Sequence, residues 1–163
     1  MLTAFWDWYE RNYKLNLFAA AGLFVWQLVH LYWLSLNVVA LRIFGVSYFD
    51  VSGLWEYAII FVDYTEIPAL ISVSLLYINE LRKQFNWKSA WFLFFLNSQW
   101  FHLFWITDEF IVSQLAGMSA VVLPLWLVWM AIAIDYLELP VIYDTIKKSA
   151  FCFVRSSGTT TND

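Results

Sequence analysis

Four apolar stretches, approximately 15–44, 52–80, 89–115 and 119–146, dominate this chain of 163 residues. A helix rises about 1.5 Å per residue, so each stretch is long enough to cross a hydrocarbon core of about 30 Å. A backbone in lipid must satisfy its own hydrogen bonds, and a helix does so within one segment. The composition agrees: 62% of residues are hydrophobic and only 13% charged, far from the balance of a soluble domain. The expected fold is an all-α integral membrane protein, with four transmembrane helices in an antiparallel bundle.

The basic residues set an orientation. Arg11 and Lys14 precede the first stretch, Arg82, Lys83 and Lys88 separate the second from the third, and Lys147, Lys148 and Arg155 follow the fourth. Only Arg42 lies opposite. An excess of Lys and Arg marks the cytoplasmic side, so both termini and the middle loop are expected there. On this reading residues 1–14 are a cytoplasmic, interfacial N-terminus carrying Trp6 and Trp8. Residues 15–80 form a first two-helix hairpin, 81–88 a cytoplasmic loop and 89–148 a second hairpin. Residues 149–163 form a cytoplasmic tail, partly disordered. The N-terminus lacks the short apolar core of a cleavable signal. Cys152 is the single cysteine, which excludes a disulfide within the chain. The net charge of −4 gives no sign of a nucleic-acid partner; membrane lipid is the expected surrounding, and assembly into a homo-oligomer is compatible with it.

The two hairpins resemble each other at a constant offset of 72 residues. Gln27-x-x-His30-Leu31-x-Trp33 returns as Gln99-x-x-His102-Leu103-x-Trp105, and Asp63-Tyr64-x-Glu66-x-Pro68 as Asp135-Tyr136-x-Glu138-x-Pro140. Two Trp- and Leu-rich hairpins match at many positions by composition alone. Gln, His, Asp, Glu and Pro are uncommon in apolar spans, however, and all five recur in register. Each copy holds an even number of spans, so the copies share one orientation, and the expected relation is a pseudo-twofold axis along the membrane normal.

The repeated residues are also the chemically costly ones. A charged group at membrane depth costs about 2.5–3.5 kcal/mol even on the lenient insertion scale, and such groups are rarely kept without use. Spacing of three residues puts Asp63 with Glu66, and Asp135 with Glu138, on one helix face; Gln27 with His30 and Gln99 with His102 follow the same rule. Counted from the nearest basic residues, the histidines and carboxylates fall roughly 18–24 Å from the cytoplasmic boundary and can meet in one layer. Two divalent cations would balance four carboxylates, with neutral imidazoles completing the shells. The expected metal-binding residues are His30, Asp63, Glu66, His102, Asp135 and Glu138. Gln27, Gln99, Tyr64 and Tyr136 are expected to support them by hydrogen bonds. Pro68 and Pro140 lack an amide hydrogen, so each is expected to break its helix near the site and free the carbonyl of Tyr64 or Tyr136. Glu56, Glu109, Asp108 and Asn37 lie toward the exoplasmic side, where they would form an acidic approach for cations.

Two His with four Asp or Glu resembles, in chemistry alone, the ligand set of ferritin-like di-iron and di-manganese proteins, which also build their sites inside four-helix bundles. Those proteins place Glu-x-x-His on two helices, whereas this chain separates His from its Asp-x-x-Glu pairs. The leading expectation is an intramembrane metal-binding protein with a binuclear His/carboxylate site, iron before zinc or manganese, acting as an oxidoreductase on a quinone, isoprenoid or acyl lipid. Proton or metal-ion transport through the same layer is the main alternative, with Asp144 extending the path. Haem held by His30 and His102 is a third reading, and metal-free acid/base catalysis on an isoprenoid a fourth.

Overall fold

A computed structural model describes residues 2–48, 54–107 and 124–157. Every regular element among them is helical. An amphipathic helix α1 (Leu2–Arg11) leads into α2 (Tyr13–Leu34), which continues through a π-helical turn (Ser35–Val39) into α3 (Ala40–Phe44). Then come α4 (Leu54–Tyr64), α5 (Glu66–Lys83), α6 (Trp87–Ile106), α7 (Leu125–Tyr136) and α8 (Leu139–Ser157).

Three helical segments are long and apolar enough to cross a membrane: Tyr13–Phe44, Tyr57–Lys83 and Leu125–Arg155. Of the remaining expected stretch, 89–115, the described part lies in α6 and Thr107, and residues 108–123 lie outside the described residues. Side chains are sorted in the sense opposite to that of a water-soluble protein. Phe61, Phe104 and Trp126 are 66%, 70% and 63% exposed, whereas Gln99 and Asp135 are 0% and 4% exposed. Large apolar groups facing outward, with polar groups buried beside an apolar core, suit hydrocarbon surroundings, which solvate the former and not the latter.

The helix ends follow from local chemistry. Gly45 closes α3 in the left-handed conformation at φ 72°, where a side chain would be strained, and its amide donates to the Leu41 carbonyl at 3.0 Å. The turn between α5 and α6 is only residues 84–86, shorter than the expected loop of 81–88. Asn86 caps α6 by accepting from the Lys88 amide at 2.9 Å. α8 runs to Ser157, so the first part of the expected tail 149–163 is helical, and residues 158–163 lie outside the described residues. The reason is visible in α8 itself: Tyr143, Phe151 and Phe153 face outward while Asp144, Thr145 and Ser149 turn inward, so the helix has a face to bury.

α2 packs against α5 and α8, and α6 against α5, α7 and α8. The shared core includes Phe24, Leu70, Val73, Leu96 and Val141. At the end carrying the turn 84–86, a polar cluster joins three helices. Asp144 of α8 accepts from the Tyr77 hydroxyl at 2.9 Å, pairs with Lys148 at 2.9 Å and also with Lys88 of α6. Lys148 reaches Glu80, which accepts from Ser89 at 2.8 Å. α1 docks at the same end, with the Arg82 guanidinium 4.1 Å from the Trp6 ring and Lys83 3.3 Å from Glu10. Asp144 is thus tied to two lysines and a tyrosine, bonds that clasp α5, α6 and α8 together at this end.

Removing the acceptor should cost more than removing one donor. Asp144→Ala is expected to lower the unfolding free energy by about 2 kcal/mol and Tyr77→Phe by about 1 kcal/mol, read by reversible unfolding in mixed micelles. Equal, negligible changes would show that the clasp contributes nothing.

Candidate functional site

The repeated prolines act as the sequence demands. α4 stops at Tyr64 and α5 starts at Glu66; α7 stops at Tyr136 and α8 starts at Leu139. At both breaks an amide is shared between the regular partner four residues back and a tighter one three back: Thr65 with Phe61 at 3.1 Å and Val62 at 3.0 Å, Leu137 with Ala133 at 3.1 Å and Ile134 at 3.0 Å. Each break sits between the Asp and the Glu of its motif. The carboxylates therefore occupy helix ends, with Glu66 opening α5 and Glu138 just ahead of α8, where the helix dipole favours a negative group.

Two glutamines hold these breaks. Gln27 of α2 donates from Nε2 to the Val62 carbonyl at 3.2 Å and to Thr65 Oγ1 at 3.0 Å. Gln99 of α6 donates from Nε2 to the Ile134 carbonyl at 2.7 Å. The partners are again 72 residues apart, and each carbonyl immediately precedes an Asp of the layer. The glutamines thus fix the backbone that carries Asp63 and Asp135 instead of bonding to the imidazoles.

One turn further along, the two halves exchange bonds. Tyr136 pairs with Ser35 at 2.5 Å, and Tyr64 with Thr107 at 3.0 Å. Ser35 and Thr107 each also donate to the carbonyl four residues earlier, Leu31 and Leu103, both at 2.8 Å. Sequence reading singled out the tyrosines and missed Ser35 and Thr107, although both are hydroxyl residues at the same 72-residue offset. Ser35 opens the π-helical turn, a local widening that recurs beside functional sites.

Between these two tiers lies the ionisable layer. His30, Asp63, Glu66, Asp135 and Glu138 are buried, and His102 is nearly so. Asp135 stands between the imidazoles: its Oδ1 is 3.2 Å from His102 Nδ1 and its Oδ2 3.8 Å from His30 Nε2. His30 Nδ1 lies against Asp63 Oδ1. The imidazole rings meet edge to face with centroids 5.9 Å apart. One ligand atom each from His30, His102 and Asp135 falls within 4.8 Å of the others, the group best disposed to hold a metal ion among the described residues. Glu66 and Glu138 interact electrostatically with this group but stand outside the converging three. Asp135 Oδ2, Glu138 Oε1 and Gln99 Oε1 are buried with no hydrogen-bond partner among the described residues. Buried acceptors without donors are costly, and a cation is the usual remedy.

The outer acidic residues are described only in part. Asp108 and Glu109 lie outside the described residues, and the side chain of Glu56, on α4, does as well. Asn37 accepts from Ser47 Oγ at 2.5 Å and so helps close the turn after α3.

The exchanged tyrosines give a direct test of coupling between the halves. In a double-mutant cycle of Tyr136→Phe and Ser35→Ala, followed by unfolding in micelles, the coupling energy is expected at about 1 kcal/mol, with a similar value for Tyr64→Phe and Thr107→Val. Strict additivity would dismiss the bonds. Neither a protein-family model, nor a curated protein, nor a solved structure matches the chain, so the chemistry of these side chains carries the functional reading.

Proposed function

We propose that the chain is a multi-pass membrane protein that binds divalent transition-metal ions in its buried His/carboxylate layer and uses them in oxidation or reduction of a lipophilic substrate. The observation that carries the metal reading is the convergence of His30, His102 and Asp135, with unpartnered carboxylate oxygens beside them. Mixed imidazole and carboxylate ligation suits iron first, with zinc and manganese next. Glu66, Glu138 and Asp63 supply the remaining negative charge. A quinone, isoprenoid or acyl lipid fits the aromatic, outward-apolar surroundings of the layer.

The architecture in this reading is a four-helix antiparallel bundle of two hairpins related by a pseudo-twofold axis. Its support is the matched bonding 72 residues apart: Gln27 with Gln99, His30–Asp63 with His102–Asp135, and the exchanged tyrosines. The end carrying Arg82, Lys83, Lys88 and Lys148 faces the cytoplasm, together with both termini. Cys152, the single cysteine, reports this directly. A membrane-impermeant maleimide should label it in inside-out but not in right-side-out vesicles. Gly45→Cys in a Cys152→Ser background should give the reverse, and a swap of the two patterns would invert the topology.

Transport of protons or metal ions is the second reading, favoured by one observation: two helices are interrupted at the level of the layer, a device by which transporters expose helix ends to ions. Elemental analysis of the purified chain, repeated on His30→Ala and Glu138→Ala, tests the leading proposal. Iron, zinc or manganese at one or two per chain, lost from His30→Ala and reduced in Glu138→Ala, is the expected result. The same negligible metal in all three overturns it, and ion flux in liposomes without turnover of lipid or quinone would favour transport.

A further inference from the structure

The 72-residue repeat makes Asp63 and Asp135 counterparts, yet their surroundings differ. Asp135 touches both imidazoles, using Oδ1 toward His102 Nδ1 at 3.2 Å and Oδ2 toward His30 Nε2 at 3.8 Å. Asp63 touches His30 alone, and on the opposite ring nitrogen, Nδ1. His30 therefore has a carboxylate at each end of its ring. The Nε2 end is the one beside Asp135, which converges with His30 and His102. His30 Nδ1 and Asp63 Oδ1 are in close contact, and neither has a regular hydrogen bond to any group among the described residues.

We infer that the layer forms one metal centre, ligated by His30 through Nε2, by His102 and by Asp135, and that Asp63 is a positioning residue that orients His30 through Nδ1. The inference rests on reading the layer as a metal site. A tetrahedral ion with ligands at about 2.0 Å has ligand atoms about 3.3 Å apart, close to the 3.2 Å between Asp135 and His102. All three ligand atoms lie within 4.8 Å of one another, so binding would draw His30 inward by up to about 1.5 Å. A carboxylate behind a ligating imidazole fixes its tautomer with hydrogen on the remote nitrogen and raises the basicity of the ligating one. The two equivalent aspartates thereby divide the work, one on the ion and one behind a ligand. Three protein ligands leave a fourth position open, the arrangement of catalytic rather than structural ions. Glu138, with Oε1 buried and without a hydrogen-bond partner among the described residues, belongs to the same polar layer.

Cobalt(II) is the probe, added to the metal-stripped full chain in nanodiscs and followed by its visible spectrum and by the bound-metal count. The wild type should bind one cobalt per chain with the intense bands of low coordination number. His30→Ala, His102→Ala and Asp135→Ala should lose stoichiometric binding, with Asp135→Asn as a milder check on the last. Asp63→Ala should weaken binding about 10- to 100-fold yet leave the spectrum of the saturated site unchanged. Asp63→Asn, whose amide oxygen still accepts from Nδ1–H, should recover most of the loss. Two cobalt ions per chain, or a changed spectrum in saturated Asp63→Ala, overturns the single centre while leaving metal binding intact. No cobalt bound by the wild type removes both. Size-exclusion profiles and helical circular dichroism of each variant separate misfolding from ligand loss, and the rescue by Asn cannot arise from a merely structural Asp63.

Discussion

The burial of ionisable groups among apolar helices governs everything else in this protein. Each such group is expensive away from water, and the cost is met only where several stand close enough to share protons or a cation. The packing obeys that requirement. α2 and α6 bring the histidines, α4 and α7 the aspartates, and the starts of α5 and α8 the glutamates. Moving any one helix by a turn, about 5.4 Å, would strand a charge. The polar layer therefore sets the register of the helices, which apolar packing alone leaves loosely specified.

The layer is held by two unlike kinds of bond. Above and below the imidazoles, neutral donors such as Gln27, Gln99, Ser35 and Thr107 grip backbone carbonyls or tyrosine hydroxyls. These bonds are modest singly, yet they pin the points where the prolines have interrupted the helices. Nearer the basic end, Asp144, Lys88, Lys148, Glu80 and Tyr77 form the clasp that binds α5, α6 and α8. Charges at that end can reach water, so the clasp tolerates full ionisation in a way the inner layer does not.

Much of this was legible from residue order. The long apolar helices followed from stretch length, the breaks near residues 65 and 137 from Pro68 and Pro140, and the meeting of both histidines with Asp63 and Asp135 from spacing and depth. The end of α8 was not legible: the polar residues 155–163 give no sign that the helix, with its buried Ser149, carries on to Ser157. The partners of Asp144 were hidden too, because Lys88 and Tyr77 lie far from it in sequence and only packing sets them against it. The inequality of Asp63 and Asp135 was beyond reach. A repeat encodes sameness, and only the packed rotamers of His30 distinguish the carboxylate behind the ring from the one in front.

The exchanged tyrosines carry one more consequence. Each phenol bonds a hydroxyl in the other half of the chain, Tyr64 to Thr107 and Tyr136 to Ser35. Cutting the chain in the turn at residues 84–86 would therefore open both bonds at once, and neither fragment would carry the partner that its own tyrosine uses.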